Sequence, residues 1–486
     1  MPPLHRYLRA LFVVLVLLDL AFSGYQHYVM PIDGDLTPIV APSIAYRQVL
    51  DDPLGLAVLL KNEIYAAPNR YFAHASMAGY FRHVPLALQG FVPPVDSIYL
   101  ACGVFKILLN IGLLYLLTWY ASGERRPRSF KFWLTAVLVA PLFQTYGYGI
   151  QMAVIHSAIT YCFFYGFPLA LLLVWLAPFY HAARRGEPVR LRAWEVVGLG
   201  LLALYLALHG PIVSGVVGVL FPGVVAVWVI RQLATPAGHS WLQRLLRLPA
   251  RLPRPALGLG GWFGALVLYS LYIGRNNAEN LTVPMPLTER YELLLLGIGD
   301  IFTGNPGLWL LALVLVINAA LLRWQVATTR EQQWLLTCLR WLSVFAVVYI
   351  ALTPLGGFRA YRPHILRCDL MAPITLAMMA LYAGSAQHLI RHLPGRFRGA
   401  YIGGVVLLAG VYWGVDLGTD SRDQYFCERR NLKRIAQSTE PIVKLSRDCN
   451  VMSWQIDNTY SAEIGAQMLY YWGVTDTLRQ YQQRLY

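Results

Sequence analysis

The sequence predicts an all-α polytopic membrane protein. Three observations carry that expectation. Of 486 residues, 57% are hydrophobic and 13% charged, with a mean hydropathy of +0.47, whereas a soluble domain carries about 25% charged residues. The apolar residues gather into runs of about 20, the length at which a helix crosses the hydrocarbon core. Arg and Lys gather in alternate connections between those runs, as orientation in a membrane requires.

About eleven spans follow, near 8–28, 97–119, 131–149, 157–180, 194–209, 211–232, 258–274, 306–323, 334–353, 368–390 and 401–416. The stretch 194–232 is too long for one span, and His209-Gly210-Pro211 divides it. The first run contains Asp19 and no clean small-residue cleavage site, so it reads as a retained signal-anchor helix. With the N-terminus cytoplasmic, the inside connections hold Arg125 to Lys131, Arg184 to Arg192, Arg231 to Arg254, Arg323 with Arg330, and Arg391 to Arg398, while 150–156 and 209–211 hold none. The net charge of +15 is thus an orientation signal and not a nucleic-acid surface. The basic stretch 244–256 suits contact with anionic membrane lipids. The C-terminus is then extracytoplasmic, and a bacterial inner membrane fits the lack of targeting features.

Two parts follow: a transmembrane domain over 1–416 and an extracytoplasmic tail over 417–486. The first outer loop, 29–96, is too long and too patterned for a connector. Apolar residues near helical spacing over Pro42–Leu60 and Tyr71–Leu88 predict short helices lying on the bilayer surface, and 289–303 a third. Of six cysteines, Cys102, Cys162, Cys338 and Cys368 read as small hydrophobes. Cys427 and Cys449 lie in the polar tail, where an oxidising compartment allows a disulfide if the backbone brings them close. The aromatic segment Met468–Trp472 suits burial against the membrane domain or its interface.

Asp33-Gly34-Asp35 follows the first span directly. Two carboxylates at a membrane surface suit a general base or a divalent metal. The plain alternative is a turn, with Asp bonding its own backbone and Gly supplying positive φ. A second feature is the outer loop from Gly356 to Arg367. It sets Arg359, Arg362, Arg367 and His364 against the charge trend, with no acid before Asp369. Guanidiniums match phosphate oxygens bidentately and stay charged; lipid headgroups, the aspartates or the tail are the alternative partners. Asp19 and Lys106 lie at similar depth in the first two spans, about 13 Å from the outer end at 1.5 Å per residue. They are expected to form a structural ion pair, with a proton relay as the alternative. His74 and His83 are candidate neighbours of the acceptor, or metal ligands with the aspartates; more often such a His only hydrogen-bonds. Glu63 and Arg82 are weaker candidates in the same loop, and Tyr148 and His156 fall on the same side. Asn280-Leu281-Thr282 fits a glycosylation sequon.

Together these features resemble the GT-C superfamily of polytopic membrane glycosyltransferases over about residues 1–416. Asp33 and Asp35 stand where that family carries its catalytic acids. The resemblance implies that one deprotonates the acceptor while the other orients it or binds a metal. Arg367-Cys368-Asp369-Leu370-Met371-Ala372-Pro373 looks like the family's Arg-rich entry to a late helix, with Cys368 where an aromatic is common. By that resemblance Arg359, Arg362, His364 and Arg367 hold the phosphate of a lipid-linked sugar donor. The rival readings are a transporter or flippase of a lipid-linked anion, a non-catalytic assembly subunit, and a ligase of lipid-linked glycans that uses the Arg/His loop alone. A transporter would more often show two similar halves, and none is visible.

Overall fold

The computed structural model describes residues 3–145, 152, 154–234, 254–281, 284–304, 306–359, 364–417, 420–445, 449–454 and 459–482. Arg362, Tyr148, most of the basic stretch 244–256 and Thr282 of the sequon lie outside the described residues.

Among the described residues, nine helices are long and apolar enough to cross a membrane. They are α1 (Pro3–Tyr28), α6 (Pro94–Ser122), α8 (Ile159–Arg185), α10 (Pro211–Ala234), α11 (Arg254–Gly274), α14 (Pro306–Gln325), α15 (Arg330–Leu352), α16 (Cys368–His392) and α17 (Gly395–Val415). The expected spans 131–149 and 194–209 are shorter apolar helices, α7 (Phe130–Leu142) and α9 (Ala193–Ala207), so length alone does not yield eleven spans. Chain breakers end both. A 3₁₀ turn through Pro141 finishes α7, and Gly210, at a φ of 135°, separates α9 from α10.

Start and stop signals explain the helix bounds. Pro94 opens α6, Asp96 lies in its first turn, and Gly123 closes it in the left-handed conformation. Thr329 and Gln332 form a reciprocal capping box at the start of α15. α6 and α16 form the inner pair. α6 packs on α1, α5 (Tyr71–Leu88), α7, α8 and α16, and α16 also packs on α14 and α15.

The first outer loop holds α2 (Leu36–Val40), α3 (Ile44–Asp51), α4 (Leu56–Lys61) and α5. α3 falls inside Pro42–Leu60, α4 overruns its end by one residue, and α5 covers Tyr71–Leu88, where the apolar spacing placed helices. The third expected helix, 289–303, is α13 (Leu287–Gly304), and α12 (Ala278–Leu281) precedes it. Ala73, His74, Met77, Ala78 and Phe81 are the buried face of α5, a helical stripe.

The tail holds α18 (Asp420–Gln437), α19 (Thr459–Tyr471) and a parallel pair, β1 (Ile442–Lys444) with β2 (Gln480–Gln482), in the register Val443 to Tyr481. Its apolar interior is continuous with that of the helix bundle. Arg429 forms a bidentate pair with Asp96 at 2.6 and 2.9 Å. Trp472 is fully buried, its indole N–H donating to Phe81 O at 2.8 Å. Cys427 and Cys449 form a disulfide, with their Cα atoms 6.3 Å apart.

The expected Asp19–Lys106 pair is corrected. Gly24 packs on Ile107, and Gly103 on Tyr28. That register sets Asp19 level with Gly112 and Lys106 level with Tyr25, about six residues or ~9 Å apart. Asp19 takes a hydrogen bond from Trp413 of α17 instead. The buried Lys106 ammonium donates to Ser157 O and, at 3.3 Å, to Met30 Sδ.

Candidate functional site

The site begins with Asp33. It is 5% exposed, and both carboxylate oxygens are engaged. Oδ1 accepts the Asp35 N–H at 3.0 Å and the Thr160 hydroxyl at 2.7 Å, and Oδ2 accepts the Thr160 N–H at 3.0 Å. Asp33 therefore makes the Asx turn of its own loop and clamps that loop to the start of α8, where a carboxylate meets unpaired N–H groups and the positive helix end. α8 then widens into a π turn over Cys162–Gly166, a form frequent at functional sites.

Gly34 has a different reason from the one its turn suggested. It is not among the glycines at positive φ. A Cβ there would lie 2.7 Å from Trp454 Cδ1 and 2.8 Å from Ser453 C. The tail crosses the loop at this point, and only the missing side chain admits it.

Asp35 faces a cavity of about 440 Å³. Asp35, Arg70, His74, Thr160, Tyr161, Glu279, Arg359, Arg367 and Trp454 are among its lining residues. Three guanidiniums and two carboxylates thus meet there, drawn from four separate stretches of chain, around residues 35, 70, 279 and 359–367. Each stretch adjoins a helix end at the same pole of the bundle.

Two of the cations, Arg359 and Arg367, are held by acids behind or beside them. Arg359 is 9% exposed, pairs with Glu279 at 2.9 Å and donates from Nε to Asn280 Oδ1 at 2.9 Å. Asn280, the sequon asparagine, is thereby part of the site's support. It sits there because Tyr65 bridges to Asn277, and Asn277 Oδ1 accepts the Ala67 N–H at 2.9 Å. Arg367 forks onto Asp369 at 3.1 and 2.8 Å and lies 5.3 Å above the Tyr161 ring. Such bidentate contacts fix guanidinium orientation.

His74 is 2% exposed, between Tyr46 and Phe164. Its Nδ1 has no hydrogen-bond partner among the described residues. Burial, with Arg70 adding to it, pushes the imidazole down to about 3, so it is neutral at any working pH. His83 does not join it. Nine residues along a helix is half a turn beyond two full ones, and His83 is exposed on the other side of α5. His364 pairs with Asp300 and lines a neighbouring cavity of about 340 Å³, together with Arg70, Tyr165 and Arg359. Arg70, Tyr165 and Arg359 line both cavities. A third, apolar cavity of about 320 Å³ follows on α10 and α15, lined by Val216, Leu220, Leu342 and Phe345.

Among the described residues, no group of three or more His, Cys, Asp or Glu is arranged to hold a metal. Asp33 spends both oxygens on Thr160 and Asp35. This donor set does not fit a divalent ion.

Arg70, Glu279, Thr160, Tyr161 and Trp454 escaped the sequence. Arg70 carried one usable signal, since it stands one helical turn before His74. The chain matches no family model, no curated protein and no solved structure.

Proposed function

We propose that the chain is a membrane glycosyltransferase of GT-C type, moving a sugar from a polyprenyl-phosphate-type lipid donor to an acceptor at the outer face of a bacterial inner membrane. One observation carries the reading: Asp35 shares its cavity with Arg359 and Arg367. The transfer needs a base on one side of the sugar and fixed positive charge on the other.

In this reading the acceptor hydroxyl gives its proton to the Asp35 carboxylate. The freed oxygen pair bonds to the anomeric carbon as the bond from that carbon to the phosphate oxygen breaks. The lipid phosphate leaves with the bonding electrons, and its new charge meets Arg359, Arg367 and Arg70. Glu279 keeps Arg359 oriented and Asp369 keeps Arg367 oriented. His74, neutral, offers a hydrogen bond to a sugar hydroxyl. Asp33 positions Asp35 and does not touch substrate. The apolar cavity along α10 and α15 suits the lipid chain. The gathering of Lys131 and Arg184 at the opposite pole suits an outer site under the positive-inside rule.

The test is transfer of label from polyprenyl-phosphate-linked sugars to membrane acceptors in reconstituted vesicles. Asp35→Asn lowers turnover about 10²–10⁴-fold, the usual worth of a positioned base, with thermal stability unchanged. Asp33→Ala lowers thermal stability as well, by about 1–3 kcal/mol for the unpaired Thr160 groups. Unimpaired transfer in Asp35→Asn sinks the assignment and favours a transporter or an assembly subunit.

A further inference from the structure

Among the described residues, the C-terminal tail reaches the cavity at Trp454. Its backbone seat is unusually well fixed. The disulfide to Cys427 ties Cys449 to α18. Glu428, fully buried, accepts from the Met452 N–H at 2.8 Å through Oε1. Its Oε2 accepts from the Ile32 N–H at 2.8 Å and the Tyr99 hydroxyl at 2.9 Å. One carboxyl thus joins the tail, the approach to Asp33 and the start of α6. Asn450 donates to Trp454 O at 3.0 Å, and Gln424 to Asn450 O at 2.9 Å. Met452 adopts a φ of 47°, a conformation that a side chain with a Cβ keeps only where its surroundings enforce it. Gly34 is bare where the indole edge lies.

So much fixation holds a side chain that is not itself buried. Trp454 is 49% exposed, while Val451, Met452 and Ser453 beside it are buried. Its ring stands 6.3 Å from that of Tyr161, tilted by 33°, and Tyr161 lies under Arg367. The cavity therefore has an aromatic wall beside Asp35, with a carboxylate at its edge. A pyranose ring matches that wall. One face of it presents C–H groups to an aromatic surface, and its rim presents hydroxyls to a carboxylate.

We propose that Trp454 is a positioning residue contributed by the tail, stacking on a pyranose ring of the acceptor and holding its hydroxyl at Asp35, so that the acceptor is a glycan or glycoside. The substrate class rests on the glycosyl-transfer reading; the ring contact itself does not. The adjacency of Trp454 to Gly34 puts the stacking surface beside Asp35, on the acceptor side.

The experiment has two arms on the protein in lipid nanodiscs. The first is saturation-transfer NMR with methyl hexopyranosides as probes and sorbitol, which has no ring, as control. The expected result is saturation of the C–H protons of one ring face in the wild type, loss of it in Trp454→Ala and in Trp454→Leu, and retention in Trp454→Phe. The second is transfer kinetics with a glycan acceptor. Trp454→Ala raises the acceptor KM about tenfold or more and leaves the donor KM unchanged, and Trp454→Phe recovers most of the loss. No ring-face saturation in the wild type, or an unchanged acceptor KM in Trp454→Ala, overturns the inference. Ring binding through Trp454 without any sugar transfer sustains it and overturns the glycosyltransferase reading instead.

Discussion

Asp33 and Asp35 are two residues apart and do opposite work. Asp33 spends its charge on Thr160 and on its own turn, while Asp35 borders the cavity. The motif was legible because two acids at a helix exit are rare in so apolar a chain. Which of them borders the cavity was not, because the Thr160 that engages Asp33 is 127 residues away. Glu428 was equally hidden. In sequence it is one acid in a charged helix, yet it is fully buried, with three donors around it. Burial outweighs those donors and pushes its carboxyl up from 4.5 to about 7, and Asp33 adds to the rise. The docked value exceeds the released one, so protonation favours docking. That contribution is complete below about pH 4.5 and is lost as the pH climbs to about 7. Hydrogen exchange of the tail amides should quicken over that window in the wild type, and Glu428→Gln should flatten the change; a slope that persists in Glu428→Gln would exclude this group as its source.

The helices were legible in the sequence wherever hydropathy is a local property. The nine long spans needed only run length, and three of the four helices of the first outer loop needed only apolar spacing, α2 being the one that was not expected. The π turn at Cys162–Gly166 has no such signature, because it answers to packing at the head of α8. Nor did depth counted from the span ends fix the register of α1 on α6, and so Asp19 and Lys106 miss one another along the axis. Gly34 shows the same dependence on distant chain. It is a glycine for the sake of the tail and not of the turn. Gly34→Ala should lower the thermal midpoint in detergent by the equivalent of about 1–3 kcal/mol, the cost of overpacking. Gly24→Ala, whose Cβ would stand 3.6 Å from Ile107, is the control and should cost less than half as much. Equal effects would show that the tail does not press on the loop.

The whole molecule has two charged poles. At one, Glu331 draws Lys131 at 3.1 Å and Arg184 at 2.9 Å, tying α7, α8 and α15 together. At the other, the Glu279–Arg359 and Arg367–Asp369 pairs stand around the cavity of Asp35. Positive-inside counting separated the poles, because cations follow orientation; it did not reveal that the second pole is closed by the tail. The central claim is that this pole holds a base for one substrate and an anion clamp for the other. Binding of polyprenyl phosphate to the protein in nanodiscs tests it directly. Arg367→Gln should weaken that binding at least tenfold, about 1.4 kcal/mol, while Asp35→Asn binds at least as tightly as the wild type, having shed a repelling charge. Unchanged affinity in Arg367→Gln, or an equal loss in Asp35→Asn, would contradict the account.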